Sequence, residues 1–218
     1  MVEGPTLVAE AAGAGWVVLE QFVAPGAEPV EAAGGEVRRL APNVIERAAS
    51  TESPQPVLAL VQMQRPARPV LDEATFVVVA DALADPGNAG TILRSAEASG
   101  ADAVVLTTGS VDVFNPKVVR ASAGAVFHVP VFTDLSLAEL RRPDRRLLAT
   151  SSHQGRAHTA TDLVSPVAVV VGNEAHGVPD DAPVDGWITI PHRGRGESLN
   201  VAMATTVLCF EVARQRST

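Results

Sequence analysis

From Phe76 onward the chain repeats short, β-branched, almost wholly apolar runs at intervals that leave room for a helix between them. Such runs suit strands buried on both faces of a parallel sheet, because strands with one solvated face alternate polar and apolar residues instead. The runs predict strands at Phe76–Ala80, Ala103–Leu106, Phe127–Val131, Leu147–Thr150, Val167–Val171 and Trp187–Ile190. Helical stretches fit near 88–99, 115–122 and 136–141, and a longer one near 199–214. In that last stretch Leu199, Met203, Val207 and Phe210 share a face at spacings of three and four, with Glu211 and Arg214 off it. Alternating β and α elements of this kind form a parallel α/β sheet.

Residues 1–66 read differently. A short helix is expected at Thr6–Gly13, ended by glycines at 13 and 15. Strands are expected around Val17, Val18, Leu19 and Phe22 and at Val57–Val61. Gln64 to Leu71, with its two prolines, reads as a stiff extended linker. The expected division is therefore 1–66 and 67–218, a small α+β unit followed by a larger α/β one.

Composition narrows the function. Apolar residues make up 46% and charged residues 19%, enough to bury a sizeable core. One cysteine, Cys209, excludes an intrachain disulfide framework and a cysteine-rich metal site, and five scattered histidines show no ligand spacing. A lone thiol, no apolar run long enough for a bilayer and no basic leader at MVEGPTLVAE point to a cytoplasmic protein, with no membrane partner and no metal. The net charge of −8 argues against a general nucleic-acid coat and leaves room for a local arginine-lined site. Only one cation is a lysine, Lys117.

Three segments fall at strand ends, where ligands bind in open α/β sheets. DPGNAGTILRSA, residues 85–96, gives a turn, a helix cap at Asn88 and, six residues on, Arg94; taken alone, ordinary turn-and-cap chemistry with a surface arginine is the better account of it. VVVGNEAHGVPDD, residues 169–181, ends a buried strand at Gly172, where the missing Cβ admits a ligand to the backbone. Glu174 there is either a solvated carboxylate or an orienting group. IPHRGRGESLNVAMA, residues 190–204, gathers Arg193, Arg195, Ser198 and Asn200 beside two glycines, and either Ser198 or Asn200 suits an N-cap. His153 and His158, in SSHQGRAHTA, read as solvent-facing loop residues.

In this order, N-x-G-x-x-x-R, then GNE-x-x-G, then IP-x-x-G-x-x-ESLN-V-x-x-A resemble the three motifs of the SpoU (TrmH-like) RNA ribose 2′-O-methyltransferases of the SPOUT superfamily. The likeness covers residues 76 to about 214. Ala175 and His176 depart from the second motif, and His192 stands where methionine is common. VEGPTLVAEAAGAG and STESPQPVLALVQ resemble the small ribosomal-protein-like substrate-recognition domain of many members, without the basic lead-in usual before VEGP.

The resemblance implies a parallel-sheet α/β knot, a deep C-terminal trefoil, that holds S-adenosyl-L-methionine. Thr150, Gly172, Ile190, Leu199 and Ser198 are then expected at the cofactor, and Arg94, Asn88, Glu174, Ser198 and Asn200 as the catalytic set. Arg94, Lys117, Arg120, Arg193 and Arg195 are expected to meet RNA, with Arg141–Arg146 as a further basic cluster. It also implies a homodimer that uses in part the apolar face of the last helix, and ribosomal RNA as the main substrate. Transfer RNA or a small molecule as substrate, and a non-catalytic RNA-binding relic, are the alternatives. The relic has no need of all five polar residues.

Overall fold

The computed structural model describes residues 1–41, 43–49, 53–192, 194 and 198–217. The amino-terminal part contains β1 (Val2–Glu3), α1 (Pro5–Gly13), β2 (Val18–Val23), β3 (Glu36–Arg39), α2 (Val44–Ala48) and β4 (Val57–Val61). Their sheet runs β1-β4-β2-β3, with β4 antiparallel to both neighbours and β3 parallel to β2. Pro5 opens α1, where its fixed φ and missing N–H cost nothing, and Val8 and Ala11 bury the inner face.

The rest holds α3 (Arg68–Glu73), β5 (Phe76–Ala80), α4 (Pro86–Ala98), β6 (Ala103–Thr107), α5 (Pro116–Ala121), α6 (Ala125–His128) and β7 (Val131–Leu135). Then follow α7 (Leu137–Leu140), β8 (Arg146–Thr150), β9 (Arg156–Ala157), β10 (Val167–Val171), β11 (Gly186–Thr189) and α8 (Val201–Arg216). Seven strands, all parallel, line up as β7-β6-β5-β10-β8-β11-β9. Every residue of β5, β6 and β10 is buried, as their unbroken apolar runs require. Their side chains alternate between two cores. Val78, Val104 and Val169 pack with α4, α5, α6 and α8, while Val77, Val105 and Val170 pack with α3 and α7.

The amino-terminal part shares the first of these cores through Val2, Val8, Val23 and Val57. Trp16 fixes the junction. Its Nε1–H donates to the Phe127 carbonyl at 3.0 Å, and its ring meets Phe127 and Phe114 edge-on. Glu10 faces His128 at 3.0 Å, and Glu3 lies 3.8 Å from Arg120.

The structure corrects several expectations. Phe127 to Val131 is no strand: Gly124, at φ 99°, lets the short helix α6 begin, and the edge strand starts only at Val131. The proposed linker folds from Arg68 into α3, because Pro69 sits in a first turn and Leu71 finds a fully buried slot. Arg145, itself buried, secures that helix by donating from Nη1 to the Leu71 and Ala74 carbonyls. The neighbouring arginines are engaged as well: Arg141 with Asp185, Arg142 with Asp72 and Asp144, Arg146 with Asp162. Within the 141–146 cluster Arg145 is thus a structural clamp, while Arg141 and Arg146 keep about half of their side chains exposed beside their carboxylate partners. On α8 the buried residues are Ala202, Thr205, Leu208, Cys209, Glu211 and Val212, while Met203, Val207 and Phe210, with Leu199 just before the helix, are exposed, Met203 at 64%.

Helix α4 lies so close to α5 that a Cβ on Gly90 would stand 2.4 Å from the Ala121 Cβ and 2.6 Å from its carbonyl carbon. Gly90→Val is therefore expected to push the helices apart and destabilise the fold by about 1–3 kcal/mol, read as a lowered thermal midpoint with secondary structure intact.

Candidate functional site

The turn after β5 begins the site. Asp85 caps α4: its Oδ1 accepts the Asn88 N–H at 2.7 Å, with Pro86 in the first turn. Asn88, expected to be the cap, sits one turn further in, which frees its carboxamide to reach two other segments.

One is the turn after β10. Glu174 Oε1 accepts from Asn88 Nδ2 at 3.0 Å and from the Asp85 N–H at 3.0 Å, while Oε2 accepts from the Ala84 N–H at 3.2 Å. The carboxylate thus faces the amino end of α4, where the helix dipole favours negative charge. Partial burial alone would push the Glu174 carboxyl up, but hydrogen bonds from Asn88 and from the backbone N–H groups of Glu174 itself, Asp85 and Ala84 outweigh it. They hold the group below the usual carboxylate range. Asn173 locks the same turn, donating from Nδ2 to the Ala82 carbonyl at 2.8 Å and accepting from the Ala175 N–H.

The other is the start of α8. Asn200 is its cap, with Oδ1 accepting the Ala202 and Met203 N–H groups at 2.9 and 3.2 Å. That fixes which way the amide points, since only Nδ2 remains to meet Asn88 Oδ1, at 3.1 Å. Asn88 then has Nδ2 left for Glu174, which as a carboxylate can only accept. The three segments are joined by a chain of hydrogen bonds that runs one way, from helix amides through two asparagines to one carboxylate.

Beside this chain the loops after β8, β10 and β11 enclose a cavity of about 610 Å³. Thr150, Gly172, Glu174, Ile190, Ser198, Leu199 and Asn200 all line it, together with His153, His176, His192 and Asp180. Gly172 has a second task besides lining the cavity. A Cβ there would lie 2.1 Å from the Gly177 carbonyl carbon, so the glycine lets the loop fold back on its own strand, and this packing shapes the wall.

The structure does not bring every expected residue to the cavity. Arg94 lies on the exposed side of α4 and, among the described residues, makes no side-chain hydrogen bond or ion pair. Its neighbour Ser95 pairs with Thr206 of α8 at 2.7 Å, which ties this turn of α4 to α8. Lys117 is exposed at the start of α5, and Arg120 faces Glu3 across the junction with the amino-terminal part. Arg193 and Arg195 lie outside the described residues. His158 reaches the Thr189 carbonyl at 3.4 Å rather than solvent alone, and His153 is in the cavity wall. Sequence reasoning passed over Asp85 and Asn173. Asp-Pro at a strand end was a legible cap signature for the first; nothing local marks the second, whose partner is 91 residues away.

Comparison with known proteins agrees with this layout. The model of the SpoU rRNA Methylase family matches residues 75–210, from the start of β5 to α8. The chain belongs to the SpoU rRNA methylase family. It is 33% identical over 221 residues to the 23S rRNA (guanosine(2553)-2′-O)-methyltransferase RlmP of Bacillus subtilis, covering 97% of this chain and 87% of that one. It is also 33% identical over 193 residues to the 23S rRNA (uridine(2479)-2′-O)-methyltransferase of Streptomyces viridochromogenes, covering 81% and 67%. Among solved structures, the SpoU methyltransferase AviRb from Streptomyces viridochromogenes in complex with AdoMet superposes with a TM-score of 0.88 at 28% identity, over 100% of this chain and 90% of that one. An AdoMet-bound rRNA methyltransferase from Sinorhizobium meliloti gives 0.83 at 30% identity, over 98% and 86%.

Replacing Asn88 by Ala should raise the Glu174 pKa toward the ordinary glutamate value, read by carboxyl-carbon NMR titration. Because the folded pKa lies below the unfolded value of about 4.3, Glu174 adds stability above that pH and loses it as pH falls through the folded pKa. Glu174→Gln should therefore flatten the acid limb of the stability curve in that window.

Proposed function

We propose that this protein is an S-adenosylmethionine-dependent RNA methyltransferase that modifies a ribose 2′-hydroxyl, with ribosomal RNA as its substrate. The observation that carries this reading is the juxtaposition of the three-loop cavity with the Asn200–Asn88–Glu174 chain at its side, in a member of this family. The cavity fits the cofactor. Its volume falls in the range of small-molecule sites, and it combines apolar wall (Ile190, Leu199) with hydroxyls and a carboxylate. Thr150, Gly172, Ile190, Ser198 and Leu199 would hold the group there. When bound, S-adenosylmethionine supplies an electrophilic methyl group carried on a sulfonium sulfur.

The protein's own residues must hold the ribose in line and stabilise charge on its oxygen, since a 2′-hydroxyl is a weak nucleophile near neutral pH. Arg94 is the cation for this task, and since it lies outside the cavity of its own chain it would serve the cavity of the second copy in the homodimer. A guanidinium keeps its proton too firmly to act as a base, so Arg94 clamps a phosphate and stabilises the developing alkoxide. Ser198, on the cavity wall, orients the ribose. Asn88, Asn200 and Glu174 are positioning residues, for their polar atoms are largely committed to one another and they hold the three segments in register.

Three further features belong to this reading. Residues 1–66 act as a substrate-recognition domain on the 67–218 methyltransferase domain. The C-terminal part of the sheet is a trefoil knot, which is supported by the insertion of β10 between β5 and the earlier strand β8. The working unit is a cytoplasmic homodimer; the outward apolar stripe of α8, with Val207 40% and Phe210 50% exposed, supports a second copy as its cover.

Labelled S-adenosylmethionine and total ribosomal RNA, followed by mapping of the modified ribose, test the activity. Arg94→Ala should lower transfer by about a hundredfold or more while cofactor affinity holds. Binding of cofactor without transfer to any RNA would overturn the reading. Phe210→Glu should shift the sedimentation coefficient from dimer to monomer.

A further inference from the structure

A second cavity, of about 300 Å³, opens at the carboxyl ends of β6 and β7, against the segment that leaves the amino-terminal part. Its walls include one cation, Arg65, one aromatic ring, Phe114, and two carboxylates, Asp112 and Asp134. None of these took part in the site described above.

Its construction resembles that of a base-reading pocket. Asp134 sits in a β-bulge: Leu106 pairs with Thr133 and the next residue, Thr107, with Leu135, leaving Asp134 unpaired at φ 62°. Such a bulge re-aims a side chain at a strand end. Asp112 accepts the Phe114 N–H through Oδ1, and Asp134 accepts the Thr133 hydroxyl through Oδ2. Each keeps its other oxygen without a partner among the described residues, and neither forms an ion pair there. Phe114 meets the Trp16 ring edge-on, with centroids 6.2 Å apart.

The pocket is also mechanically tied to the first site. Ser110 Oγ, on its rim, accepts the Leu83 N–H at 3.1 Å, and the Val111 N–H donates to the Leu83 carbonyl at 2.8 Å. The next residue, Ala84, donates to Glu174. Residues 83–85 therefore carry the pocket rim on one side and the Asn88–Glu174 pair on the other. Both lie on the carboxyl edge of one parallel sheet. Two strand spacings, about 10 Å, separate β6 from β10 at the near edges of the two cavities, and the first cavity continues past β8 to β11, so both lie within a few nucleotides of one another along an unpaired strand.

We propose that this cavity is a subsite for a nucleotide flanking the methylated one, that it prefers guanine, and that Arg65 takes its phosphate. Guanine presents adjacent N1–H and N2–H donors that suit carboxylate acceptors, and its ring lies against Phe114. Uracil turns carbonyl oxygens toward the same carboxylates and is disfavoured. The inference rests on the reading that the substrate is RNA.

The test uses the full chain saturated with S-adenosylhomocysteine, so that the first cavity is filled, in buffer with EDTA. Equilibrium dialysis should show 5′-GMP binding about tenfold tighter than 5′-UMP. The paired change Asp112→Asn with Asp134→Asn keeps size and turn geometry, since Asn tolerates the left-handed backbone as well as Asp does. It should abolish the preference. Arg65→Gln should weaken both nucleotides alike. No binding, equal binding of the two nucleotides, or a preference that survives the paired change overturns the subsite. Wild-type transfer to ribosomal RNA, run in parallel, separates this failure from failure of the methyltransferase reading: active enzyme without guanine preference sinks only the subsite.

Discussion

The carboxamide of Asn88 is the piece on which the functional half of this molecule depends. An amide has a donor end and an acceptor end, and here each end is assigned by something stronger than itself. The free N–H groups of α8 dictate how Asn200 lies, and the ionised Glu174 dictates what Asn88 must present. Three loops far apart in sequence are thereby held in one relation without any single strong bond. Each link is modest, on the order of 1 kcal/mol net, yet reversing one amide would leave two donors or two acceptors facing each other.

Charge follows the same economy. The overall balance is acidic, and most arginines are engaged by neighbouring carboxylates or carbonyls: Arg38, Arg39, Arg68, Arg141, Arg142, Arg145, Arg146, Arg214 and Arg216 all have such partners. Arg94 and Lys117 are among the few cations left toward solvent. With so few cations left over, any polyanion would be held by a small number of aimed contacts, and its affinity would depend only shallowly on salt.

Much of the fold was legible because fully buried parallel strands must be apolar throughout, and β5, β6 and β10 fell where their runs of valine lie. The misreadings share a cause, namely that a short apolar or proline-containing segment does not reveal its tertiary partner. Ala125 to Phe127 is apolar whether strand or helix, and the left-handed Gly124 decided it. Pro69 stiffens a linker or opens a helix, and the buried slot for Leu71 decided that. Spacing alone left open whether the apolar stripe of α8 packs inward or waits for a partner, and the burial of Ala202, Thr205, Leu208 and Cys209 on the other face decided it. At the site, the motifs named Gly172, Glu174, Ile190, Ser198, Leu199 and Asn200, all of which line the cavity. The pairing of Asn88 with both Glu174 and Asn200, and the fold-back behind Gly172, were not readable, since hydrogen-bond partners leave no trace in local spacing.

The strand order has a kinetic consequence. Asn88 meets Glu174 across 86 residues and Asn200 across 112, and β10 must enter between two strands formed from earlier sequence. Contacts this distant close slowly, because the entropy of the long loops is lost before any pairing offsets it. Until β10 has been made, β5 and β8 lack the strand that joins them, and the residues of the last wall, Ser198 to Ala204, come later still. The binding site is the last thing this protein makes.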